Sequence, residues 1–247
     1  MFHAIPGELP AADARDLVGI ALPPGRLVQS QESPGAPVAW ISVELLPVEQ
    51  LNELLQALAA AFPQTGLWPL RAEGSHGRGL AQPWFDGEMG GPETELPDAL
   101  EVVSRKQFEE PTVPLATALA PGVPGPDLDL HALHVDEPGA LLLVPVARPA
   151  DVPAALGWWG GTNYDLSGAD FTAVLRSWED RFGAVLISIG FDTMTVRVGR
   201  RPVTDEQIDA LLSEHYGFCP DNIDQGTPAE TFRGGLAHWI YWNFWWD

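Results

Sequence analysis

The first apolar alternation runs from Arg26 to Gln31, and a second run, Val38 to Leu45, follows a Ser33-Pro34-Gly35 turn, so the pattern predicts a strand pair. Next, Val48, Leu51, Leu54, Leu55, Leu58 and Phe62 recur at helical spacing behind Pro47, which suits a first turn. That stripe predicts a helix that stops before Pro63 and packs on the strands. Thr65 to Leu70 reads as a turn into a short strand, with Pro69 placing it at a sheet edge or a strand start.

Periodicity then fades. Gly74 to Gly91 is rich in glycine, and Asp86, Glu88, Glu93, Glu95, Asp98 and Glu101 have no basic residue among them, the pattern of a solvated loop. Pro111 to Pro126 holds five prolines and two glycines, which predicts a semi-rigid linker or long connection. The expected organisation is an N-terminal α+β region over 1–110, a connection over 111–136 and a C-terminal α+β domain over 137–247. The chain shows no internal repeat, which argues against solenoids and propellers.

Signals sharpen in the last part. Ala140 to Val146 is an all-apolar run, as in a buried central strand. A short helix is expected near Asp151 with Pro153 in its first turn, then a glycine-rich aromatic loop from Gly157 to Asn163. Asp170 is positioned to cap a helix with Phe171, Val174, Leu175, Trp178 and Phe182 on one face, Arg176, Glu179 and Asp180 on the other, and Gly183 at its end. Ala184 to Ile189 and Thr193 to Val198 form a hairpin, with Met194, Val196 and Val198 inward. Thr204 and Gln207 make a capping box, and Thr227-Pro228-Ala229-Glu230 repeats the signature. His238 to Asp247 is apolar on both faces and reads as a strand buried on both sides that closes the sheet. The fold class is α+β: a central mixed or antiparallel sheet including a hairpin, helices packed on it, and a smaller α+β region ahead of it.

Composition narrows the function classes. With 247 residues, 45% hydrophobic, the chain can bury a substantial core, yet its apolar runs fall far short of the ~20 residues that cross a bilayer. A formal charge of −21 repels nucleic acid and anionic membranes and attracts a basic partner. Acidity also serves solubility alone. A lone cysteine, Cys219, and a start without a basic or apolar leader fit a reducing, cytoplasmic setting. One lysine against twelve arginines, with abundant Ala, Gly and Pro, matches the bias of a GC-rich bacterial genome.

Five segments occur in a recognisable order: Leu141-Leu142-Leu143-Val144-Pro145-Val146, Gly157-Trp158-Trp159-Gly160, Leu175-Arg176-Ser177-Trp178-Glu179-Asp180-Arg181-Phe182-Gly183, Phe218-Cys219-Pro220-Asp221 and Phe244-Trp245-Trp246-Asp247. Over residues 137–247 the chain resembles the bacterial family named domain of unknown function 4253. The resemblance implies no activity and no catalytic residue. Where the family's pattern often carries a second proline after Pro202, this chain has Val203, which touches a helix lead-in and no site.

Several constellations can be weighed for chemistry. His215 and Cys219, four apart, could form a thiolate–imidazolium pair, against the ordinary reading of a buried cysteine beside Phe218 and Pro220. His131, His134, Asp136 and Glu137 offer metal ligands within seven positions but in no zinc spacing. Gly157 to Asn163 lacks both nucleotide-loop signatures, and no cofactor motif is present. Arg176, Glu179, Asp180 and Arg181 ordinarily form surface ion pairs. The sharper expectation turns Arg176 and Glu179 inward to line a polar-aromatic pocket with Trp158, Asn163, Asp221 and Trp242.

Seven of ten tryptophans lie between Trp158 and Trp246, and any left exposed would serve as interface anchors. The leading expectation is a non-enzymatic binding protein that takes a basic protein, as immunity proteins neutralise basic toxins, or a small molecule. The rival is a small-molecule enzyme, a hydrolase, built on the same pocket.

Overall fold

The computed structural model describes residues 2–32, 35–75, 77–86, 89–105 and 110–247. Ser33 and Pro34 of the expected turn, and Glu88 of the acidic stretch, lie outside the described residues. A two-stranded ribbon, β1 (Asp16–Leu17) and β2 (Ile20–Ala21), leads into β3 (Gly25–Gln29) and β4 (Pro37–Ser42). Then come α1 (Val48–Thr65), β5 (Leu67–Ala72) and the short α2 (Ala99–Val103). The later part adds β6 (Ala140–Pro145), α3 (Val152–Leu156), α4 (Gly168–Phe182), β7 (Val185–Ile189), β8 (Thr193–Arg197), α5 (Asp205–Phe218), α6 (Ala229–Leu236) and β9 (Tyr241–Trp245). The fold is α+β. Among the described residues, no helix is long and apolar enough to cross a membrane.

Strands from both parts of the chain share one seven-stranded sheet, ordered β3-β4-β6-β5-β7-β8-β9. β6 is inserted between β4 and β5 and runs antiparallel to both, while β5 and β7 are parallel, so the sheet is mixed. An all-apolar strand such as Ala140 to Pro145 needs a neighbour on each edge and cover on each face, and here the earlier residues supply both neighbours. The segment 111–136 therefore separates stretches of sequence without dividing the sheet. It packs as a strap, with Val113, Ala116 and Ala120 buried.

Several local expectations change once the sheet is assembled. Pro69 sits in the fourth of seven strands, not at an edge; the β5–β7 ladder covers only Arg71 and Ala72, so it has not begun where the proline lacks its N–H. Helix α1 runs through Pro63 to Thr65 and ends on Gly66 at φ 63°. Ser167, not Asp170, is the N-cap of α4, and Asp170 completes the capping box from the third helical position. The Thr204–Gln207 box forms as expected, whereas α6 starts behind Pro228 without a side-chain cap. Glu93, expected as a solvated acid, accepts the Gly168 and Ala169 amides at 3.0 Å each and so closes the positive end of α4. β9 is an edge strand buried on one face only: Trp242 and Phe244 are covered, Asn243 and Trp245 are exposed.

Candidate functional site

Pairing register places one polar residue from each of four neighbouring strands in a row. Arg71 of β5 stands opposite Ser188 of β7, Ser188 opposite Thr195 of β8, and Thr195 opposite Asn243 of β9. Residues in register on adjacent strands share a face, so these four do. Thr195 Oγ1 donates to Asn243 Oδ1 at 2.9 Å. The neighbouring line, Ala72, Ile189, Met194 and Phe244, is apolar and faces the other way. There Phe244 stacks on Trp178 at 5.5 Å between centroids and meets Phe218 edge-on at 5.0 Å, against α4 and α5.

Over the polar row lies a cleft of 430 Å³, lined also by Glu73, His134, Asp136, Glu137, Tyr241 and Trp245. Arg71 is the guanidinium beneath it and is engaged through all three of its nitrogens. Its Nε donates to the Pro138 carbonyl at 2.9 Å, Nη2 to Glu137 at 3.1 Å, and Nη1 to Ser188 Oγ at 3.2 Å and to Glu73. Ser188 Oγ in turn donates to Glu73 Oε1 at 2.9 Å, and Thr193 Oγ1 reaches Glu73 Oε2 at 3.5 Å. His134 Nε2 lies 3.1 Å from Asp136. Three carboxylates thus face one guanidinium, and the Asp136 and Glu137 side chains are 74% and 76% exposed. The cleft presents net negative charge over a rigid, hydrogen-bonded floor.

The six residues grouped by sequence as one pocket occupy separate surroundings. Trp158 is core, donating Nε1–H to the Gly190 carbonyl at 2.8 Å, and a Cβ at Gly160 would lie 2.0 Å from its ring, which accounts for that glycine. Asn163 is exposed in a 3-10 turn. Arg176 pairs outward with Asp151 at 2.6 Å. Glu179 is turned inward and pairs with Arg148 at 3.1 Å; burial outweighs that guanidinium and pushes its carboxyl up to about 7. Asp221 is buried and accepts from Tyr164 Oη at 2.5 Å, Gln225 at 2.7 Å and the Asp247 amide at 2.9 Å. Trp242 packs edge-on to Trp178 at 5.4 Å and lines a second cleft beside β9.

The His215–Cys219 pair fails on environment. The Cys219 thiol donates to the Trp245 carbonyl at 2.9 Å, and burial pushes it up to about 12. His215 is pushed down to about 3 by burial, with the Arg181 charge adding, and stacks on Trp178 at 4.8 Å. Both shifts oppose a thiolate–imidazolium pair. Among the described residues, no group of three or more His, Cys, Asp or Glu is placed to hold a metal ion, and Asp136 and Glu137 instead rim the acidic cleft. Arg71, Glu73, Ser188 and Asn243 escaped the sequence reading; its visible traces were the polar side of Thr193, Thr195 and Arg197 and the group His134, Asp136 and Glu137.

Residues 140–247, the C-terminal part of the chain, match the family model described as Domain of unknown function (DUF4253). No curated protein and no solved structure matches the chain.

Proposed function

We propose that this chain, whose residues 140–247 match the DUF4253 family model, is a non-enzymatic binding protein that seats an arginine or lysine side chain of a basic protein partner in the cleft over the Arg71–Ser188–Thr195–Asn243 row. The observation that carries the reading is the charge of that cleft: Glu73, Asp136 and Glu137 face it, while its own guanidinium is already engaged. A ligand cation meets unspent carboxylate oxygens there, with Tyr241 and Trp245 available to cover its apolar stem. The whole-chain charge of −21 works in the same direction, speeding encounter with a basic surface and opposing nucleic acid and anionic membranes. A cytoplasmic role as an immunity-like neutraliser of a basic protein is the biological form this reading takes. The hydrolase alternative, built on one pocket with Arg176 and Glu179 and on Cys219, loses support, because Arg176 and Glu179 pair in separate surroundings and burial keeps Cys219 a thiol.

The test is calorimetric titration with a hexa-arginine peptide at low and high salt, with hexa-glutamate as control. Binding to wild type that weakens about tenfold in the double variant Glu73→Gln/Glu137→Gln, and not in Glu8→Gln/Asp13→Asn, supports the assignment. Equal loss in both variants reduces the effect to overall charge and sinks the assignment to this cleft.

A further inference from the structure

A second cleft, of 320 Å³, lies beside the edge strand β9, and its lining differs in kind from the acidic one. His215, Phe232, Trp239, Trp242 and Trp245 supply its aromatic surface, and among the described residues none that lines it carries an Asp, Glu, Lys or Arg side chain. Phe232 and Trp239 meet edge-on at 5.0 Å, and His215 meets Trp242 edge-on at 4.6 Å. A cleft of this composition takes an uncharged flat ring.

Its polar atoms say more. The buried indoles of Trp68, Trp84, Trp158, Trp178 and Trp246 each donate their N–H, to Leu186, Glu73, Gly190, Glu214 and Phe218, at 2.6–3.0 Å. Trp242, 1% exposed, does not: among the described residues its Nε1 has no hydrogen-bond partner, and neither ring nitrogen of His215, 2% exposed, has one. Trp40 Nε1 is also unpartnered, but Trp40 does not line this cleft. A buried donor or acceptor left unmade is destabilising, and here three such atoms belong to two touching rings that line one cleft. His215 stays neutral at ordinary pH, so it offers one N–H and one bare nitrogen. Together with the indole N–H, the pair asks for a ligand atom that both donates and accepts.

We propose that this cleft binds a neutral aromatic ring bearing a hydroxyl, a phenol, whose oxygen accepts from Trp242 Nε1–H and whose O–H donates to the bare nitrogen of His215. A hydroxyl is the smallest group with both capacities, and the flat ring behind it matches the walls. The three nitrogens are closed to water, so a ligand reaches them only when the wall of the cleft shifts. This site is separate from the acidic cleft in chemistry, although the two share Asn222, Tyr241, Asn243 and Trp245 in their linings.

The experiment compares p-cresol with toluene by titrating the 15N-labelled full chain and following its indole N–H resonances. Apolar transfer alone favours toluene, so a preference for p-cresol has a sign that only hydrogen bonding supplies. The expected result is a p-cresol preference of about fivefold or more, with a shift of the indole resonance that is absent in Trp242→Phe. In His215→Phe, which keeps a ring and removes both nitrogens, the preference should vanish; this variant serves also where Trp242→Phe does not fold. Toluene binding as well as p-cresol, or a preference that survives His215→Phe, overturns the proposal. A further arm with N-acetyl-tyrosinamide separates a free phenol from a tyrosine side chain: tighter binding than p-cresol assigns the site to a tyrosine, weaker binding to a small phenol. None of these titrations depends on the carboxylates of the acidic cleft, so the two readings stand or fall separately.

Discussion

The Glu214 carboxylate, with no exposed surface, takes the indole N–H of Trp178 at 2.8 Å, joining α5 to α4 inside the core. The same carboxylate meets Arg181 in a two-bonded pair, at 2.9 and 2.6 Å, and accepts the Ala120 amide at 2.5 Å. One buried side chain therefore holds two helices and the proline-rich strap together. Tyr216 assists by accepting from the Thr112 amide at 3.0 Å.

Removing that carboxylate leaves the part-buried Arg181 guanidinium without its counter-charge. Glu214→Ala is expected to lose about 3–5 kcal/mol of stability and Glu214→Gln less, because the amide still accepts from the indole. Denaturant unfolding measures the loss, and limited proteolysis should show new cleavage between residues 111 and 126. Unchanged protease resistance would contradict the pinning role.

Glu179 makes stability depend on pH in an unusual direction. Its folded value, about 7, lies above the ordinary 4.5, so the folded chain holds this proton more tightly than the unfolded chain. The stabilisation is complete below about 4.5 and is lost as pH rises through about 7, amounting to ~3 kcal/mol at most. Glu179→Gln, a fixed neutral mimic, lacks this dependence. The Tm of wild type minus that of the variant should fall between about pH 5 and 7.5; a flat difference refutes it.

Cys219 should resist alkylation. Its burial and its bond to the Trp245 carbonyl keep it a thiol. Iodoacetamide at about pH 8 is expected to modify the native chain at least about a hundredfold more slowly than the urea-unfolded chain. Rapid native labelling would restore the nucleophile reading.

Gly66 ends α1 at φ 63°, and a Cβ there would lie 2.0 Å from the Ile5 carbonyl oxygen. Gly66→Ala is expected to cost about 2–4 kcal/mol, since strain in the left-handed region adds to a clash with backbone that has no rotamer to yield. The Tm reports it.

What the sequence determined alone is local. The α1 stripe, the α4 face ending at Gly183, the Thr204–Gln207 box, the β7–β8 hairpin and the family match over residues 140–247 were all legible, because spacing, caps and turn residues act within a few positions of one another. Tertiary structure decided the rest. The insertion of β6 between β4 and β5, the central place of Pro69 and the edge place of β9 depend on which distant strands pair. Glu179 reads either as a surface acid or as an inward residue beside Arg176, and only packing decides that it turns inward to Arg148, far away in sequence. The polar row exists only through register, since Arg71, Ser188, Thr195 and Asn243 lie on four strands and share a face only after those strands have paired.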